Sequence, residues 1–93
     1  MSAATRQQRV KGESLLSEAT KKLESRTWFA SSTERRNEEA AELYERAANA
    51  FRVGSAMDEG GDAYMKAGEI YRNQLNNKGE ASRCLMKAGE NTL

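Results

Sequence analysis

Residues 38–51 read EEAAELYERAANAF, and this stretch decides the fold. Ala40, Ala41, Leu43, Tyr44, Ala47, Ala48 and Phe51 recur at three- and four-residue steps, the spacing of one apolar helix face. Glu38, Glu39, Glu42, Glu45, Arg46 and Asn49 fall mostly on the other side. Alanine pairs bordered by single aromatics let two helix backbones approach closely while the rings fill the gaps.

The pattern repeats twice. Ala41-x-x-Tyr44-x-x-Ala47-Ala48-x-x-Phe51 becomes Gly61-x-x-Tyr64-x-x-Ala67-Gly68-x-x-Tyr71 after 20 residues. After a further 21 it becomes Ser82-x-x-Leu85-x-x-Ala88-Gly89-x-x-Thr92. One period holds a helix and its turn, and two make a helical hairpin, near the tetratricopeptide length. The expected fold is all-α: about four helices in antiparallel hairpins, stacked as a tetratricopeptide-like right-handed solenoid. The small pairs Ala47/Ala48, Ala67/Gly68 and Ala88/Gly89 are the expected crossing points, with Tyr44, Phe51, Tyr64 and Tyr71 filling the core between them.

Outward from these copies, the helices are set by caps and glycines, since the chain has no proline. A first helix is expected over about Gln8–Ser25, with residues 1–7 disordered and Gly12 weakening its start. Ser31-x-x-Glu34 reads as a capping box for a second helix that ends at Gly54. Ser55 is the expected cap of a third helix, whose buried face would include Met57, Gly61, Met65, Ile70 and Leu75. Asn77-x-x-Glu80 opens a fourth, carrying Ala81, Cys84 and Leu85. The 93 residues thus form a single helical-repeat domain.

Composition removes several function classes. A net charge of +1 gives no bulk attraction to nucleic acid. Residues 1–36 hold eight basic and four acidic side chains, while 37–93 hold seven and ten, so the N-terminal third is the basic one. That asymmetry suits either anionic lipid or a solvated helix face. There is no histidine, no Cys/His cluster and no phosphate loop around Gly54, Gly60 and Gly61, so neither an enzyme nor a metal or cofactor is expected. The single cysteine, Cys84, reads as a small buried hydrophobe in a reducing compartment. No apolar run is long enough to span a bilayer.

The segment 26–33 stands apart. Trp28 and Phe29 sit together, flanked by Lys21, Lys22 and Arg26 before and Arg35 and Arg36 after. Two readings stay open: an apolar wedge with headgroup-binding cations, or a plug folded back under the helix stack. Aromatic residues being mostly core, the residues alone favour the plug.

The run from Glu38 to Leu93, with Leu15-Leu16-x-Glu18-Ala19 and Trp28-Phe29 before it, resembles the N-terminal part of soluble NSF attachment proteins, alpha type. The resemblance covers nearly the whole chain but about the first third of a typical member. It implies a non-enzymatic adaptor that binds the SNARE complex and recruits the NSF ATPase for SNARE disassembly, cytoplasmic and peripheral on the cytosolic face of membranes. It also turns the reading of Trp28 and Phe29 to membrane contact, with Lys21, Lys22 and Arg26 at the headgroups, although the aromatic loop is shorter than the family pattern. Arg52 becomes the candidate SNARE contact. Ser55 stands where the family pattern would have a second lysine. The ATPase-stimulating segment would lie beyond residue 93. Two hairpins without a polar cap point to a fragment, a truncated product, or a homodimer covering the open end of the stack. The alternative is a free-standing tetratricopeptide-like peptide-binding scaffold.

Overall fold

The computed structural model describes residues 2–24 and 33–92. Four helices follow one another: α1 (Ala3–Glu24), α2 (Thr33–Val53), α3 (Met57–Asn73) and α4 (Lys78–Thr92). Each packs on its neighbours in chain order, α1 on α2, α2 on α3 and α3 on α4. Short connections force successive helices antiparallel, giving a slab of 43 × 27 × 12 Å. The architecture is the stacked helical hairpin expected of the repeat, with no strand among the described residues.

The core is made of the repeated positions. Ala47, Ala48, Ala67, Gly68 and Ala88 are buried, as are Tyr44, Phe51, Tyr64 and Tyr71. At Gly68 a methyl group would already stand 3.1 Å from Leu85 of α4 and 3.4 Å from the Cys84 Cβ, so a small residue sets how near α4 can lie. Gly89, in the same place of the third copy, is exposed, and nothing lies within 4 Å of where its Cβ would sit. The expected crossing at Gly89 is therefore corrected.

The first helix begins five residues earlier than the sequence suggested. Ser2 caps it, its Oγ accepting from the Thr5 N–H at 3.1 Å, and Ala3 and Ala4 are good helix formers. Residues 3–7 are thus helical rather than disordered. Gly12, expected only to weaken the helix, is buried under Phe51; a Cβ there would lie 2.8–2.9 Å from the ring. The α1–α2 crossing uses this glycine.

The turn after α2 also differs. Gly54 has no positive φ; it is small because a Cβ would meet the Arg9 backbone nitrogen at 2.7 Å. The left-handed residue is Ser55, at φ 61°. Its N–H bonds the Arg52 carbonyl at 3.1 Å, and the Ala56 N–H bonds that of Phe51 at 2.7 Å. This is the Schellman closure of α2. Ser55 therefore terminates α2 instead of capping α3, whose cap position is Ala56 with no side-chain bond. Met57 and Met65, expected inside, are 38% and 48% exposed, and Gly60 and Ala63 take the buried places. At the next turn Asn77 does cap α4, its Oδ1 accepting from the Glu80 N–H at 3.1 Å. The capping residue expected at Ser31 lies outside the described residues.

Candidate functional site

Antiparallel order sorts the candidate residues to opposite ends of the slab. Lys21 and Lys22 lie in the last turn of α1, at the end where α2 starts. Trp28, Phe29 and Arg26 lie outside the described residues. Arg52 closes α2 at the other end, where the turn at Gly54 packs on Thr5 and Arg9. The 21 residues of α2, at 1.5 Å each, set the two ends about 30 Å apart.

The two lysines are not equivalent. Lys21 is exposed, whereas Lys22 Nζ lies 2.8 Å from Glu39 Oε2 and ties α1 to α2. That hydrogen bond holds the Glu39 carboxyl below its ordinary value, with Arg35 Nε adding at 3.3 Å.

At the opposite end Arg52 is exposed and borders the Tyr64 hydroxyl, which donates to Asn49 Oδ1. Burial pushes the Tyr64 phenol up, and the nearby guanidinium partly offsets it. A shallow cleft of about 230 Å³ opens between α1 and α2 beside this corner, with Lys11 and Arg46 over Leu15, Ala50 and Val53. This corner can offer cations to an acidic partner.

Inside the slab the tyrosines are wired from helix to helix. Thr20 donates to the Leu16 carbonyl at 3.1 Å, so the Tyr44 hydroxyl, 3.0 Å away, donates to Thr20. Lys66 Nζ stands 5.8 Å from the Tyr44 ring centre, and Lys87 Nζ stands 5.6 Å from that of Tyr64. Tyrosine and lysine thus recur one helix apart in the same register. Sequence reasoning missed these lysines, although the shared Met-Lys-Ala-Gly at 65–68 and 86–89 carries them at the repeat spacing. Cys84 is fully buried and its thiol is pushed up to about 11, chiefly by burial, so it is a poor nucleophile at neutral pH. No described cluster of His, Cys, Asp or Glu could hold a metal ion, and no described helix is long and apolar enough to cross a membrane.

These features define an α-helical repeat scaffold of stacked antiparallel hairpins. A family model described as soluble NSF attachment protein, SNAP, matches residues 10–92. The chain belongs to that family, whose members are non-enzymatic adaptors of the SNARE and NSF machinery. A comparison with curated proteins and one with solved structures found no match.

Proposed function

We propose that this chain acts as an adaptor that binds the assembled SNARE bundle, rests on the cytosolic face of the membrane and brings the NSF ATPase to the bundle. The observation that carries the reading is the family match across residues 10–92, on a slab of four antiparallel helices. Arg52 is the SNARE contact: an exposed cation beside a cleft with two more, Lys11 and Arg46, facing an acidic helical bundle. Trp28 and Phe29 enter the lipid interface, and Lys21, Lys22 and Arg26 meet the headgroups. Separation of Lys21 and Lys22 from Arg52, at opposite ends of the slab, lets one end touch lipid while the other reaches along a bundle rooted in it.

Pull-down on assembled SNARE bundles tests the reading, with the unassembled SNARE chains as the control. The chain should be retained by the bundle, and Arg52→Glu should weaken retention about tenfold, as for loss and reversal of one rim charge. Equal retention by bundle and single chains would count against the adaptor role. Full retention of the Arg52→Glu chain would remove Arg52 alone.

A further inference from the structure

We propose that Arg72 and Lys78 form a second membrane contact, a cleft that takes the headgroup of an anionic lipid. The choice of ligand rests on the peripheral-membrane reading given above; the cleft itself is read from the structure. It lies where α3 hands over to α4, has a volume of about 300 Å³, and is lined by Arg72, Lys78, Ala81, Ser82 and Leu85. Arg72 and Lys78 are exposed and form no ion pair among the described residues, unlike Lys22, Arg35 and Arg83, each of which has a carboxylate partner. Between them Ala81 is buried and Leu85 half-buried, giving an apolar floor beside the Ser82 hydroxyl. Two cations over such a floor suit a charged headgroup with glycerol and the start of an acyl chain below it.

Position favours lipid over an acidic protein. The turn at 74–77 lies at the end of the slab where α1 finishes at Glu24 and α2 starts at Thr33. Lys21 and Lys22, in the last turn of α1, therefore stand at the same end. Lys21 stands on α1, at one edge of the helix order, and Arg72 and Lys78 stand on α3 and α4 toward the other. An extended anionic surface can engage cations on both edges of one end at once. Glu69, one turn before Arg72 on α3, is the acidic neighbour of the cleft and does not line it. Glu34, Glu38, Glu42 and Glu80 line a different cleft with Tyr71, Leu75 and Asn77. Glu80 is two residues from both Lys78 and Ser82, and so on the opposite side of α4. The slab meets the bilayer tilted, with the Arg72–Lys78 side down and the carboxylates turned away.

Vesicle co-sedimentation tests this with the whole chain, R72Q/K78Q and W28S/F29S. Phosphatidylcholine vesicles with about one-third phosphatidylserine are compared with pure phosphatidylcholine. Both cations are exposed, so R72Q/K78Q should keep the circular dichroism spectrum and melting temperature of the parent chain. Its affinity for the anionic vesicles should fall about 25-fold, about fivefold per cation, with no change on the neutral ones and little difference left at high salt. Undiminished binding of R72Q/K78Q to anionic vesicles overturns the cleft, whatever W28S/F29S does. If W28S/F29S binds normally while R72Q/K78Q is weakened, the aromatic anchor fails and the cleft stands. Perturbation of the Arg72 side-chain resonances by polyglutamate but not by anionic vesicles would assign the cleft to an acidic protein and overturn the lipid proposal.

Discussion

Glu45 and Arg83, 38 residues apart in sequence, meet at 2.5 Å and join α2 to α4 across α3. The second Glu45 carboxylate oxygen accepts from the Tyr71 hydroxyl of α3 at 2.8 Å, so one side chain ties three helices. Arg83 also holds Glu80 at 2.7 Å, and these two carboxylates raise its affinity for the proton further. The slab is therefore cross-braced on one face by a charge network.

Glu45→Ala should destabilise the fold by about 2 kcal/mol in urea unfolding, because it strands a largely buried phenol and leaves the Arg83 guanidinium with Glu80 as its one carboxylate partner. Side-chain exposures of 17% for Glu45 and 38% for Arg83 keep the expected loss below that of a fully buried pair. Glu42→Ala, an exposed change one turn away, should stay within about 0.5 kcal/mol. Equal midpoints for the two variants would mean that the network contributes nothing to the stack.

Glycine-to-alanine changes should rank by what stands in front of each Cβ. Gly54→Ala is the worst, since the obstacle at 2.7 Å is the Arg9 backbone, which cannot swing aside. Gly12→Ala drives a methyl into the buried Phe51 ring and should cost about 1–3 kcal/mol as an overpacked core does. Gly68→Ala meets Leu85, a half-buried side chain that can give, and the gain in helix propensity of about 0.5–1 kcal/mol should nearly offset it. Gly89→Ala meets nothing and should stabilise by that same amount. Thermal melts of the four variants check the order, and a destabilising Gly89→Ala would contradict the exposed position of that residue.

Stability should fall on the alkaline side. A thiol's ordinary value of 9.0 is pushed up to about 11 at Cys84 by burial, then by the Glu45 carboxylate. Tyr71 is also raised above its ordinary 10.0, by burial and by its bond to Glu45. Both groups hold their protons longer when folded. Their stabilisation is complete below the unfolded values and is lost as pH climbs from 9 towards and past the folded ones. Urea midpoints should decline from about pH 9. Cys84→Ala should remove the part between 9 and 11, and Tyr71→Phe the part above 10. A Cys84→Ala chain with an unchanged alkaline profile would rule the thiol out.

The repeat was legible because local periodicity fixes it. The alternation of small pairs with Tyr44, Phe51, Tyr64 and Tyr71 states which face of each helix is buried without knowledge of any neighbour. Gly12 and Gly54 were not legible as contact points, because their obstacles, Phe51 and Arg9, lie 39 and 45 residues away in sequence. Gly89 shares its motif with Gly68 but not its surroundings, and a motif cannot say which copies have a neighbour on both sides. Ser55 was misread because a left-handed serine closing one helix and a serine capping the next occupy the same short turn. For the site, residue type marked Lys21, Lys22 and Arg52 as exposed cations. The pairing of Lys22 with Glu39 depends on the α1–α2 register, which no local pattern encodes.

That pairing yields a prediction about lipid binding. Lys22 and Glu39 form a compact ion pair of no net charge, so Lys21 should carry most of the attraction that this corner exerts on an anionic surface. Lys21→Gln should weaken binding to phosphatidylserine vesicles about fivefold, and Lys22→Gln by less, since it exposes the Glu39 charge while leaving Arg35 to balance it. Glu39→Gln should act in the opposite direction, freeing Lys22 and strengthening binding about fivefold. Adding Lys22→Gln to Glu39→Gln should return the affinity to that of the parent chain. The carboxyl is held below its ordinary value of 4.5 by the Lys22 hydrogen bond, so the pair stays charged through mildly acidic pH and this order of affinities should persist there. Equal losses for Lys21→Gln and Lys22→Gln would show that the ion pair opens at the membrane and that both lysines reach the headgroups.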